Sequence, residues 1–212
     1  MSPTSRNTLL TFLVAVLVTS LAIPEARAID LGGHDRDGVT VGVNLGAAWN
    51  NLEYSVLLED GQMADEKTDT FVDFAGGINV GWARNDYLLA SIGIYGWREG
   101  GWTYTGNTVT ASTINFMLEV QWFPMGQGFW IKGGAGGGNL DFSVNTPLYF
   151  RTHQKGGWNF QLGAGYEFRV ADSFAIGVAY DYRLLTVGDF EGLTDTKSLS
   201  SNLTMSFRYY AY

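Results

Sequence analysis

Eight stretches of this sequence alternate apolar residues with small or polar ones, and no other feature restricts the fold as much. In "VTVGVNLGAAW" the apolar set is Val39, Val41, Val43, Leu45, Ala47 and Trp49, interleaved with Thr40, Gly42, Asn44, Gly46 and Ala48. A period of two marks a strand with two unlike faces. The pattern recurs over residues 72–82, 87–94, 114–122, 129–136, 158–170, 174–184 and 202–211. Long connections over 50–68, 98–107, 143–156 and 185–198 alternate with short ones at 83–86, 123–128 and 171–173. An up-and-down antiparallel meander of eight strands with two unlike ends is the expected arrangement.

Which face turns inward follows from the non-apolar set. It is rich in Gly, Ala, Ser and Asn and short of the Lys and Glu that a water-facing surface carries. Its charges come in opposite-sign groups: Glu119 with Lys132, Glu167 with Arg169, Asp181 with Arg183, together with Asp73 and Arg208. Small residues and balanced charges suit a narrow lumen, and the apolar face then suits lipid. Aromatics gather at the strand ends. Trp82, Tyr87, Trp122, Phe123, Phe129, Trp130, Phe168, Phe174 and Tyr209 flank the short turns; Trp49, Phe71, Tyr95, Trp97, Phe142, Trp158 and Tyr182 lie toward the long loops. Two girdles bracketing an apolar band are what a transmembrane barrel carries.

The stretch "EVQWFPMGQGFWIKGG" makes the inversion concrete. A hairpin whose paired residue numbers sum to 251 sets Trp122 opposite Phe129, Val120 opposite Ile131 and Glu119 opposite Lys132. Charges facing each other in so apolar a ribbon belong in a lumen, with Val120 and Ile131 turned to lipid. A closed barrel satisfies every backbone hydrogen bond without an edge, which is what hydrocarbon demands.

Residues 1–28 read as a cleavable signal peptide, with basic Arg6, an apolar run from Leu9 to Ile23 and Ala26 and Ala28 before the cut. That run is shorter than the roughly 20 residues of a membrane helix. Residues 29–37 read as a periplasmic N-terminal stub and 38–212 as the barrel. Removing Arg6, Arg27 and Glu25 leaves 11 basic and 20 acidic residues, a net charge of −9 that disfavours nucleic acid. With no cysteine there is neither a disulfide framework nor thiolate chemistry.

With the terminal strand "NLTMSFRYYAY" the chain resembles the small outer-membrane β-barrels of Gram-negative bacteria, the OmpA transmembrane-domain and OmpX-like group. The resemblance covers residues 38–212. It implies an outer-membrane location, long loops outside the cell, turns in the periplasm, and contact with outer-membrane lipid, lipopolysaccharide and the barrel-assembly machinery. The assembly-signal strand would run through Leu203, Met205, Phe207 and Tyr209; Tyr212 falls on the wrong parity, so either a bulge intervenes or the last residues leave the sheet. One activity is not implied, since fold is not function.

Catalytic and metal signals are thin. Of the two histidines, His34 precedes the first strand, and His153 in "THQK" lacks the His-x-Ser motif of barrel lipid A deacylases. "DRDG" opens like a calcium loop, but Gly46 stands where the closing glutamate belongs. The first long loop is acidic, with Glu53, Glu59, Asp60, Asp65, Glu66 and Asp69 against Lys67; it reads as solvated rather than as a cation bridge to lipopolysaccharide. Leu148, Tyr149, Phe150 and Arg151 form a candidate contact tip for an extracellular partner, with folding back over the barrel as the alternative. The expectation is a non-enzymatic, cofactor-free and metal-free barrel with a plugged lumen and a structural or surface-interaction role. A narrow passive channel and a lipid-modifying enzyme stand as alternatives.

Overall fold

A computed structural model describes residues 36–57, 63–67, 70–98, 102–104, 107–126, 128–145, 150–190 and 193–211. The expected signal peptide, residues 29–35, Leu148, Tyr149 and Tyr212 lie outside the described residues. The strands are β1 (Gly38–Leu57), β2 (Met63–Lys67), β3 (Phe71–Asn85), β4 (Leu88–Arg98), β5 (Trp102–Tyr104), β6 (Asn107–Trp122), β7 (Phe129–Asn145), β8 (Phe150–Ala171), β9 (Phe174–Phe190) and β10 (Leu193–Ala211).

Eight long strands make the wall. β1, β3, β4, β6, β7, β8, β9 and β10 pair antiparallel in chain order, and β10 pairs back onto β1. β2 and β5 are short additions to β1 and β6 at the long-hairpin end. A row of paired residues that starts at Val41 passes Val80, Ile92, Leu118, Ala135, Phe160, Leu184 and Leu199. It returns to β1 at Asn51, ten residues further along. That stagger is the shear a tilted eight-stranded barrel needs, and its interior is just wide enough for side chains to fill.

The faces are inverted relative to a soluble barrel. Leu118 is 67% exposed while its neighbour Glu119 is 5% exposed. Ile92, Phe116 and Leu162 point outward with Leu118; Asn115, Lys132, Asp181 and Arg208 are buried inside.

Four expectations change. The β6–β7 register pairs Gln121 with Lys132 and Glu119 with Gly134, so paired numbers sum to 253. A two-residue shift keeps every side chain on its face. Its cause lies in the turn. Phe123 buries itself at the lumen end and donates its N–H to the Tyr87 carbonyl, and Gly126 at φ 63° closes the bend. Phe129 and Trp130 therefore run past the end of β6 and pair only with β8.

Phe123, Trp130, Tyr95 and Trp97 are not girdle residues. All four sit on inward positions and are buried, whereas Trp82, Tyr87, Trp122, Trp158 and Tyr182 do face outward. The long loops are also mostly strand. β7 and β8 pair without interruption up to Asn145–Phe150, and β9 and β10 pair, with register shifts on either side of Thr196, up to Phe190–Leu193. On β8 residues 153–157 are exposed or half-exposed on both faces, so the alternation that reveals strands fades there while the hydrogen-bond ladder continues. Finally, β10 pairs β1 without a register shift from Leu203 to Ala211, so no bulge interrupts that segment, and Tyr212 lies outside the described residues.

Candidate functional site

Inside the wall the side chains stack in layers. The middle layer is ionic. Lys132 Nζ on β7 lies 3.0 Å from Asp181 Oδ1 on β9 and 3.6 Å from Glu119 Oε1 on β6. Arg183 Nη2 lies 3.5 Å from Asp181 Oδ2, and its Nε donates to Gln161 Oε1 at 3.2 Å. Tyr95 holds the centre. Its hydroxyl donates to Glu119 Oε2 at 2.6 Å and accepts from Asn79 Nδ2, while the Arg183 guanidinium stacks 4.3 Å over its ring. Two carboxylates and two cations balance, which is how buried charge is tolerated.

A second ionic layer closes the short-turn end around Glu167. Arg208 Nη1 donates to its Oε2 at 2.8 Å, and Tyr210 donates to its Oε1. Arg208 also reaches Gln121 Oε1 at 2.9 Å. The fifth member is Arg36, just before β1. Its Nη1 donates to the Gly126 carbonyl at 2.8 Å and the Asp86 carbonyl at 3.1 Å. Its backbone N–H donates to Asp86 Oδ1 at 2.8 Å, and its guanidinium lies 3.9 Å over the Phe123 ring. Nε stands 3.6 Å from Glu167. One arginine thus ties the β3–β4 turn, the β6–β7 turn and β8 together across the barrel mouth.

Toward the long hairpins an apolar cluster forms, beside buried polar residues such as Asn50, Thr113 and Ser198. Leu52, Trp97, Leu140, Leu185 and Val187 pack with Ala48, Ala75 and Ala111, and Phe71 meets Trp97 edge-on at 5.4 Å. An amide layer with Asn115, Asn159 and Asn202 lies between this cluster and the ion pairs; Asn159 donates to Asn115, and Asn202 to the Asp181 carbonyl.

Of the eight charges singled out in the sequence, Glu119, Lys132, Asp181 and Arg183 share one layer, and Glu167 and Arg208 the other. The expected Glu167–Arg169 grouping gives way to Glu167 with Arg208 and Arg36. Residues two apart on a strand share a face but stand almost 7 Å apart, so cross-lumen partners reach the carboxylate more readily. Arg169 instead lies 3.7 Å over the Tyr210 ring and donates to the Asp172 carbonyl. Asp73 stands apart from both layers, opposite Ala48, and accepts the Phe74 N–H. Arg36, Tyr95 and Tyr210 escaped the sequence reading. For the two tyrosines the signal was present, since both occupy inward parity. Arg36 lay in a segment assigned to the stub. Phe150 and Arg151, of the candidate contact tip, begin β8 opposite Asn145 and Val144, and His153 pairs with Phe142 in the β7–β8 ladder. Among the described residues no group of three or more His, Cys, Asp or Glu could hold a metal ion.

Residues 13–208 match the model of the family described as outer membrane protein beta-barrel domain. The chain belongs to that family. It is an outer-membrane protein of a Gram-negative bacterium. The fold is similar to Ail, the attachment invasion locus protein of Yersinia pestis, at 12% identity and TM-score 0.53, over 81% of this chain and 99% of that one. Neisserial surface protein A is similar at 14% identity and TM-score 0.52, over 82% and 97%. OprG from Pseudomonas aeruginosa is similar at 12% identity and TM-score 0.51, over 85% and 100%. No curated protein matches the chain by sequence. At such identities the likeness carries the fold and not a role.

Proposed function

We propose that this protein is a non-enzymatic outer-membrane barrel with a closed lumen, whose work is structural or done at its outer surface. The observation behind the reading is a double closure. Arg36, Phe123 and the Glu167 layer fill the short-turn end, and the Leu52–Trp97–Leu140–Leu185 cluster fills the long-hairpin end. An ion crossing would have to displace paired charges and then traverse an apolar core. Either barrier alone opposes conduction: a bare ion in an apolar medium is costly, and breaking a buried pair typically costs about 3–5 kcal/mol. Balanced ion pairs that brace the wall from inside favour rigidity over passage. The long hairpins, continued as ladder beyond the apolar band, supply the surface for contact, and outer-membrane lipid and lipopolysaccharide are the surroundings that reading assigns.

Single-channel recording of the refolded barrel in planar bilayers tests this. The wild type should show no steady conductance, and Glu119→Ala should leave it silent because both end closures remain. Steady wild-type openings would overturn the reading and establish a channel.

A further inference from the structure

Lys132 is the one buried lysine among the described residues; the other buried cations, Arg36, Arg183 and Arg208, are arginines. The difference is chemical. A guanidinium keeps its proton, whereas a lysine that gives one up becomes a nucleophilic amine. Lys132 Nζ lies 3.0 Å from Asp181 Oδ1 and 3.6 Å from Glu119 Oε1, and none of the three side chains is more than 6% exposed. Neither of those oxygens has a hydrogen-bond partner, so both are open to the protons of the amine.

The surroundings hold these groups in place. Glu119 Oε2 accepts from the Tyr95 hydroxyl at 2.6 Å and from Ser91 at 3.3 Å, which turns Oε1 toward the lysine. Asp181 Oδ2 faces Arg183 Nη2 at 3.5 Å. The rings of Tyr95 and Trp130 flank Nζ at 5.4 and 5.6 Å. Reactants fixed at contact distance in a dry site gain several orders of magnitude over a free encounter.

We propose that Lys132 and Asp181 condense into an amide between β7 and β9, with Glu119 as the proton carrier. A buried charge is costly, and this pair can discharge itself by passing one ammonium proton to Asp181 Oδ1. The free amine then attacks Asp181 Cγ. The Nζ–Cγ bond forms, and negative charge gathers on Oδ2, the oxygen that Arg183 faces. Glu119 takes a proton from the nitrogen and passes it to Oδ1; the Cγ–Oδ1 bond breaks and one water leaves. Of the three ammonium protons, one stays on the amide and two depart in the water, and Glu119 ends as it began. Charge still balances, because the amide consumes one cation and one anion and leaves Glu119 with Arg183. The link would cross β8 at Gly163, which is in register with Lys132 on one side and Asp181 on the other.

This goes beyond the closed lumen and does not depend on it. Intact-mass spectrometry of the full barrel, purified from outer membranes and unfolded in denaturant, should give a mass one water below that of its sequence. Digestion should yield a branched peptide joining the Lys132 and Asp181 segments. Lys132→Arg keeps the cation but has no amine to condense, so it should retain the full mass. Glu119→Gln keeps both reactants, and losing a positioned proton carrier should slow linkage about a hundredfold or more. Full mass in the wild type would overturn the proposal, even where a variant fails to fold. So would a lost water without the branched peptide, or linkage in Glu119→Gln at the wild-type rate. Bilayer recording reads closure separately. A conducting, cross-linked barrel sinks the closed lumen alone, and a silent barrel of full mass sinks the amide alone.

Discussion

Lys132 and Asp181 form a 3.0 Å ion pair although a whole strand separates them. Gly163 of β8 stands between, paired in register with Lys132 on one side and with Asp181 on the other. A methyl at Gly163 would collide with Asp181 Oδ1 and lie 3.1 Å from Lys132 Cε. The missing side chain is what lets the cation reach over β8, and the wall is fastened across three strands at the level of Tyr95.

Gly163→Ala should therefore behave as an ion-pair mutant. Lys132→Met leaves Glu119 and Asp181 short of a cation and should cost about 3–5 kcal/mol, the usual loss for breaking a buried pair. Gly163→Ala should lose a substantial part of that by forcing the partners apart. The double variant should lose clearly less than the sum of the two, because contacting sites are not additive. Urea unfolding in lipid vesicles, followed by tryptophan fluorescence, measures all three. Strict additivity would mean that the glycine acts independently of the pair.

The inward assignment of Glu119, Lys132, Asp181 and Arg183 was legible because it depends only on strand parity, which backbone geometry fixes. Their partners were not, since those depend on register and shear. Predicting the β6–β7 hairpin two residues out of register kept Glu119 and Lys132 on the correct face but made them directly opposed rather than diagonal. Strand length was hidden for another reason. Beyond Trp158, solvent on both sides removes the selection that makes apolar and polar residues alternate. Arg36 carried no periodic signal at all; only the folded turns at Asp86 and Gly126 give it partners.

Two glycines of β7, three residues apart, should respond oppositely to a methyl group. At Gly136 the added carbon would overlap the Phe116 carbonyl and crowd Met117 Cα, both backbone atoms that cannot step aside. At Gly133 it would point to lipid and touch only Leu162 Cδ2 at 3.8 Å. Gly136→Ala should prevent or severely weaken folding, while Gly133→Ala should be neutral or stabilising by up to about 1 kcal/mol through reduced freedom of the unfolded chain. Heat-dependent electrophoretic mobility of the refolded barrel reads both. Equal tolerance would mean that β6 and β7 are not packed backbone to backbone.

Leu118 and Glu119 provide the sharpest check of the inverted faces. Arginine at a lipid-facing midplane position costs about 2–4 kcal/mol, less nearer the interface. Leu118→Arg should lose that amount in unfolding titrations from bilayers and recover in short-chain detergent, where water reaches the outer face. A loss of the same size in both media would place Leu118 against protein instead of lipid.

Arg36→Gln probes the stopper at the short-turn end without touching any strand. The change removes the cation near Glu167 and the stack on Phe123, but Glu167 keeps Arg208 at 2.8 Å and Tyr210. Hydrogen bonds to charged groups are worth about 1.5–3 kcal/mol each and overlap here, so a total loss of about 2 kcal/mol is expected. Arg208→Met should cost more, because it also strands Gln121 and takes away the shorter of the two ion pairs. The distinguishing readout is local. With Arg36→Gln, amide exchange should quicken at Gly126 and around Asp86 while residues of the Lys132 layer stay protected. Uniform quickening along the barrel would show that Arg36 supports the whole wall rather than closing one end of it.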